Sequence, residues 1–133
     1  MYNALASVLD DAHSGSTRLH LDLSDAVNIL TYASSTTDGS PGYALWHIFA
    51  PEDSDHIRKY IRSRLSLDID IPIVGDFIHN QDTYLTPSML AELKETYAVR
   101  PYTIRQYVGE AVFIPAGCAH QASRHLPAHR GEL

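Results

Sequence analysis

His20 and Asp22 stand two residues apart in Thr17-Arg-Leu-His-Leu-Asp22, where Leu19 and Leu21 alternate with the polar pair. A period of two is the signature of a strand, so the imidazole and the carboxylate emerge on one face and can reach a single ion. A second histidine from elsewhere in the fold would complete a facial set of two histidines and one carboxylate. Such a set leaves one side of an octahedral Fe(II) open. His120 is the candidate: in Phe113-Ile-Pro-Ala-Gly-Cys-Ala-His120 an apolar strand and a Pro-Gly turn precede it, the pattern of a short hairpin. With eight histidines and sixteen acids in the chain, about one His-x-acid triplet arises by chance. One occurs, so the triplet has value only through this context. The plain alternative for His120 is a histidine in a surface turn.

The remaining histidines are weaker candidates. His47, beside Trp46 on an apolar strand, reads as core or interface, and Trp46 as core. His56 belongs to the solvated side of a helix and His79 to a polar loop. His13, His125 and His129 lie in the two ends of the chain, and Asp25 and Glu110 read as turn and surface acids.

The elements that must position the triad follow from the same patterning. After the first strand, Ala26 to Ala33 is rich in β-branched and aromatic residues and predicts a second. Ser34 to Gly42 is a loop, and Tyr43 to Phe49 a third strand. Pro51 and three acids by Asp55 open a helix bearing Ile57, Tyr60, Ile61 and Leu65. Leu67 to Tyr84 has a mixed, looping texture. Thr86-Pro87 caps a second helix, with Leu90, Leu93 and Tyr97 on one stripe, which stops before Arg100-Pro101. Strands return at Tyr102 to Tyr107, Ala111 to Ile114 and Cys118 to Ala122. Strands, a helical insertion and strands again predict a mainly β antiparallel barrel or jelly roll, not a doubly wound sheet.

Composition narrows the function classes. The 133 residues allow one domain, and 44% hydrophobic with 20% charged residues is the balance of a globular chain. No apolar run approaches the ~20 residues that span a bilayer, and Met1 to His13 lacks a basic flank, so a membrane or secreted protein is not expected. One cysteine, Cys118, excludes a disulfide framework and a cysteine-rich zinc module. Net charge -6 argues against direct nucleic-acid binding by phosphate neutralisation.

Four stretches are similar to a known family. Thr17-Arg-Leu-His-Leu-Asp-Leu-Ser-Asp-Ala-Val-Asn28, Ala44-Leu-Trp-His-Ile-Phe49, Tyr102-Thr-Ile-Arg-Gln-Tyr107 and Gly109-Glu-Ala-Val-Phe-Ile-Pro-Ala-Gly-Cys-Ala-His-Gln121 resemble the JmjC domain, in particular its histone H3 lysine-nine demethylase subgroup. The resemblance runs from about Gly15 to Gln121 in order. It implies a double-stranded β-helix, a cupin-type jelly roll, holding Fe(II) with 2-oxoglutarate as cosubstrate. His20, Asp22 and His120 match the iron ligands. Thr17 matches a hydroxyl that binds the 2-oxoglutarate carboxylate, and Asn28 falls near a polar cosubstrate contact. The plain alternatives are an ordinary β-branched strand residue for Thr17 and a strand-end pairing for Asn28. The implied reaction oxidatively decarboxylates 2-oxoglutarate with O2 and hydroxylates a lysine N-methyl group, which leaves as formaldehyde. The implied partners are a histone H3 tail or another methyl-lysine protein, chromatin and a nuclear location.

On this reading residues 1–16 are a lead-in, 17–122 the jelly-roll domain with its two-helix insertion at about 51–97, and 123–133 a divergent tail. The sequence departs from the family in that tail, where Pro127 and Gly131 argue against a long central strand. The basic residue that would pair with the distal carboxylate of 2-oxoglutarate is therefore unassigned, with Arg124 and Arg105 as candidates lacking a motif. Weak cosubstrate binding, little changed by replacing Arg124, is the expectation. The short front end adds to this an incomplete jelly roll, and leaves open a fragment, a truncated product or a chain needing a partner. Two further functions remain beside demethylation: a protein hydroxylase with the same iron site, and a non-catalytic JmjC-like chromatin-binding module.

Overall fold

The structure, a computed structural model, describes residues 17–64, 76, 78 and 83–125. Its elements run β1 (Thr17–His20), β2 (Ala26–Ile29), β3 (Tyr43–Ile48), a 3-10 turn (Pro51–Asp53), α1 (Ser54–Arg64), α2 (Pro87–Tyr97), β4 (Tyr102–Gln106), β5 (Ala111–Ile114) and β6 (His120–His125). The lead-in, Leu65, nearly all of the looping segment from Leu67, and residues 126–133 lie outside the described residues, and with them His13, His79 and His129.

Strand lengths follow the partners available. β2 pairs antiparallel with β5, and the ladder closes where Leu30 exchanges hydrogen bonds with Glu110 and Gly109 at the β4–β5 turn. The strand expected to reach Ala33 therefore ends at Ile29. The last strand errs the other way. Expected to stop at Ala122, β6 continues to His125 because it lies between β1 and β3 and keeps pairing as far as Tyr43↔His125. The turn before it takes Gly117 at φ 81°, a left-handed conformation suited to glycine. Gly42 is constrained differently: a side chain there would collide with the Ser34 carbonyl, which accepts the Gly42 N–H.

Four strands form one antiparallel sheet in the order β1-β6-β3-β4, and β2-β5 forms a second. Alternation splits the larger sheet cleanly. Leu19, Phe49 and Ala119 point to one side and join Ile57, Tyr60, Ile61, Leu85 and Leu93 from the helical insertion and its approach. Trp46, Ile48, Ile104 and Ala122 point to the other, against Ala26, Val112 and Ile114 of the smaller sheet. Each fully buried aliphatic or aromatic side chain contributes roughly 1.5–3 kcal/mol. The result is the two-sheet, jelly-roll architecture read from the sequence, with its helices on the outer face.

The helices are built as their sequences suggest. In α1, Ile57, Tyr60 and Ile61 are buried at helical spacing. The Thr86 hydroxyl accepts the Met89 N–H and Pro87 occupies the first turn of α2. Ala98 closes α2 at φ 57°, with its N–H on the Lys94 carbonyl. The Tyr60 hydroxyl and the Arg64 guanidinium both meet the Glu92 carboxylate, at 2.8 and 2.6 Å, joining the two helices.

Candidate metal centre

Register places the triad. His20 pairs with His120, and His120 with Ile48, which pairs with Tyr102, so one row crosses the whole sheet at the ends of its strands. Directly opposed residues of antiparallel strands share a face, here the face toward β2-β5. Asp22 follows β1, and its carbonyl accepts the Gly117 N–H at 2.9 Å. The Asp25 carboxylate takes the Ala116 N–H at 2.8 Å. The turn before β6 is thus clamped to the loop after β1, which brings the late histidine to the early pair.

The Asp22 Oδ2 lies 3.8 Å from Nε2 of both His20 and His120, and one ligand atom from each residue falls within 4.8 Å of the others. The two imidazole rings are 4.1 Å apart at 57°. Both rings are oriented alike: Nδ1 of His20 donates to the Arg18 carbonyl at 2.8 Å, and Nδ1 of His120 to the Cys118 carbonyl at 2.9 Å. A carbonyl only accepts, so each Nδ1 carries the proton and each Nε2 lone pair is left toward Asp22. Burial holds His120 below the usual histidine range, and the neighbouring His20 adds to this against the Cys118 carbonyl and Asp22. Neutral imidazole is the state a metal requires. His120 is buried and Asp22 half exposed, so the set is walled on one side and open on the other. This donor set fits a single divalent ion with open positions.

Thr17 and His20 are three residues apart and would alternate to opposite faces of a regular strand. A register irregularity prevents that: Thr17 pairs with Ala122 while His20 pairs with His120, three residues on β1 against two on β6. This bulge sets both side chains on the inner face. Ala122 also pairs with Trp46, and the next inner position of β6, Arg124, pairs with Ala44. Along β6 the inner face therefore runs from His120, over the small Ala122 flanked by Thr17 and Trp46, to Arg124. Arg105 is opposite Leu45, on the other face, with its guanidinium over the Tyr43 ring at 5.3 Å. The two cations left open by the sequence thus separate: Arg124 faces the inter-sheet space and Arg105 does not. Asn28 is exposed opposite Val112, on the inner side of β2.

Trp46 is core, as expected, 5% exposed with its ring 6.2 Å from that of His120. His47 is also buried, and His56 is exposed and stacked on Tyr97. His125, grouped with the chain ends in the sequence, is part of the sheet: it ends β6, stacks on Tyr43 and is bonded to Ser123. Asp25 and Glu110 are the turn acids the sequence suggested, Glu110 taking the Tyr107 N–H.

Two buried glutamines escaped the sequence reading. Gln106 accepts the Trp46 indole N–H and donates to the Asn28 and Glu110 carbonyls, tying the large sheet to the small one. Gln121 exchanges two hydrogen bonds with the Leu85 backbone, 2.8 and 2.9 Å, and its amide also meets His47 Nδ1 at 3.3 Å. It fastens the approach to α2 directly behind His120. Their signal was a polar residue at a core-facing strand position. Cys118 is buried beside the triad, its thiol pushed up by burial and then by the carboxylates of Glu52 and Asp25.

Residues 14–128 match the family described as JmjC domain, hydroxylase. The chain is 37% identical over 154 residues to lysine-specific demethylase 3 of Drosophila melanogaster, covering 91% of this chain and 18% of that protein. It is 34% identical over 153 residues to lysine-specific demethylase 3A of Homo sapiens, covering 91% and 11%. For lysine-specific demethylase JMJ29 of Arabidopsis thaliana the identity is 31% over 160 residues, covering 79% and 18%. The chain thus spans less than a fifth of the length of these relatives.

Proposed function

The chain belongs to the JmjC domain family, and on that footing we propose that it is an Fe(II)- and 2-oxoglutarate-dependent dioxygenase that removes methyl groups from lysine, with a histone H3 tail on chromatin in the nucleus as its substrate. The observation that carries this reading is the convergence of His20, Asp22 and His120, both imidazoles anchored through Nδ1. These three side chains would hold the iron. When bound, Fe(II) with 2-oxoglutarate and O2 supplies the oxidation of a methyl C–H bond, and the resulting N–CH2–OH unit releases formaldehyde.

The chain's own residues position and exclude. Thr17 would donate its hydroxyl to a cosubstrate carboxylate, with the Asn28 amide reaching in from β2. Arg124 would supply the cation for the distal carboxylate, which is costly to desolvate without a partner. Ala122 leaves the space, and Trp46, fixed by Gln106, walls it. A methylated lysine would enter from the side of the half-exposed Asp22. A net charge of -6 favours a basic tail in the encounter.

The test is succinate release with methylated peptide, unmethylated peptide and no peptide. Coupling to the methylated peptide, with formaldehyde in equal amount, is the expected result. Coupling to the unmethylated peptide would instead indicate a hydroxylase, and no coupling to either would indicate a binding module.

A further inference from the structure

The row that carries His20 and His120 continues through Ile48 to Tyr102. Strands in a sheet are about 4.8 Å apart, so Tyr102 begins about 10 Å from His120. Beside it lies an open groove of about 550 Å³. Ile48, Ile104 and Cys118 give it an apolar floor, and Tyr102 from β4 and Phe113 from β5 stand at its rim. These two rings are 70% and 75% exposed, large apolar surfaces that solvent would not select for. The exposed Glu52 carboxylate lines the same groove. Among the described residues no basic side chain lines it.

An apolar floor, two aromatic rings and one carboxylate suit a long aliphatic stem ending in a cation: the stem covers the floor, and the head is attracted by ring faces and the acid. A plain hydrophobic side chain would leave Glu52 without a role, and an acidic one would be repelled by it. An extended peptide advances about 3.3 Å per residue, so a groove about 10 Å along this row from His120 is two or three peptide residues away from the one held at the metal centre. We propose that this groove binds a lysine or arginine side chain two or three residues from the target lysine in the same substrate peptide. This rests on the reading of the metal centre as the place where the target lysine is held.

The test is binding rather than turnover. Fluorescein-labelled peptides carrying one methyl-lysine and a single arginine two or three residues away are titrated with the Mn(II)-loaded chain. Control peptides carry norleucine or glutamate in place of the arginine. The arginine peptide should bind about threefold more tightly than the norleucine peptide and about tenfold more tightly than the glutamate peptide. Glu52→Gln should reduce the preference for arginine over norleucine, and Tyr102→Ala or Phe113→Ala should weaken binding of the arginine peptide by about fivefold. All three positions are exposed, so the variants keep the fold, and electron paramagnetic resonance checks that Mn(II) is still bound in each. Equal binding of all three peptides, or an arginine preference undiminished by Glu52→Gln, overturns the groove while the metal reading stands. Failure of the unmodified chain to take up Mn(II) falls on the metal reading, and the peptide preference, measured without metal, still decides the groove.

Discussion

Replacing Arg124 by alanine tests how the inter-sheet space would hold a dicarboxylate. Four residues of strand separate His120 from Arg124, about 13 Å between Cα atoms. One imidazole, a five-carbon dicarboxylate and an arginine side chain together fill such a span. A hydrogen-bonded contact to a charged group is worth about 1.5–3 kcal/mol. Arg124 is exposed, so the low end applies, about 1.5 kcal/mol, or roughly tenfold in affinity. Trp46, the one tryptophan, sits beside His120 and reports binding by fluorescence in the Mn(II)-loaded chain. Arg124→Ala should weaken 2-oxoglutarate about tenfold, while 2-oxovalerate, which lacks the second carboxylate, changes by less than about twofold. Arg124→Lys should fall between. Unchanged affinity for 2-oxoglutarate, or equal loss for both acids, would refute the assignment. The weak, Arg124-independent binding expected from the sequence rested on a divergent tail beginning at residue 123, whereas β6 carries Arg124 onto the inner face.

Gln121→Ala leaves the buried N–H and carbonyl of Leu85 without their partners, so unfolding in urea should show a loss of roughly 2–4 kcal/mol; a loss below about 1 kcal/mol would contradict the pairing. Burial, with a smaller effect from His125, holds His47 below its ordinary value of 6.5, so the unfolded chain takes up the proton first as pH falls. Stability is therefore intact above pH 6.5 and declines below it toward the folded value. His47→Gln should flatten the fall in Tm between about pH 7 and 5.5 without abolishing it, since His120 and His125 are lowered by burial as well; an unchanged pH dependence would contradict this.

Much of the site was legible because strand alternation and loop chemistry are local. His20 declares itself by the period of two, whereas Asp22, expected on the same strand, lies in the loop just after β1, and Pro115-Ala-Gly117 announces the turn that returns His120. Both helices follow from Pro51, Thr86 and their apolar stripes. What the sequence hid depends on pairing partners distant in the chain. The end of β2 at Ile29 is set by the β4–β5 turn, and the reach of β6 to His125 by β3. Thr17 faces inward only because of a bulge, which no residue type in Thr17-Arg-Leu-His20 encodes. Gln106 and Gln121 look like surface residues until the carbonyls they serve are brought beside them by the fold. Arg105 and Arg124 are equivalent as letters and opposite as faces.

Mn(II) titration followed by electron paramagnetic resonance bears most directly on the claim that His20, Asp22 and His120 hold one ion. The unmodified chain should bind a single Mn(II). His20→Ala, Asp22→Ala and His120→Ala should each abolish that binding while circular dichroism stays unchanged, and His56→Ala, on the exposed face of α1, should leave it intact. Retained binding in any of the three ligand variants, or loss in His56→Ala, would contradict the assignment.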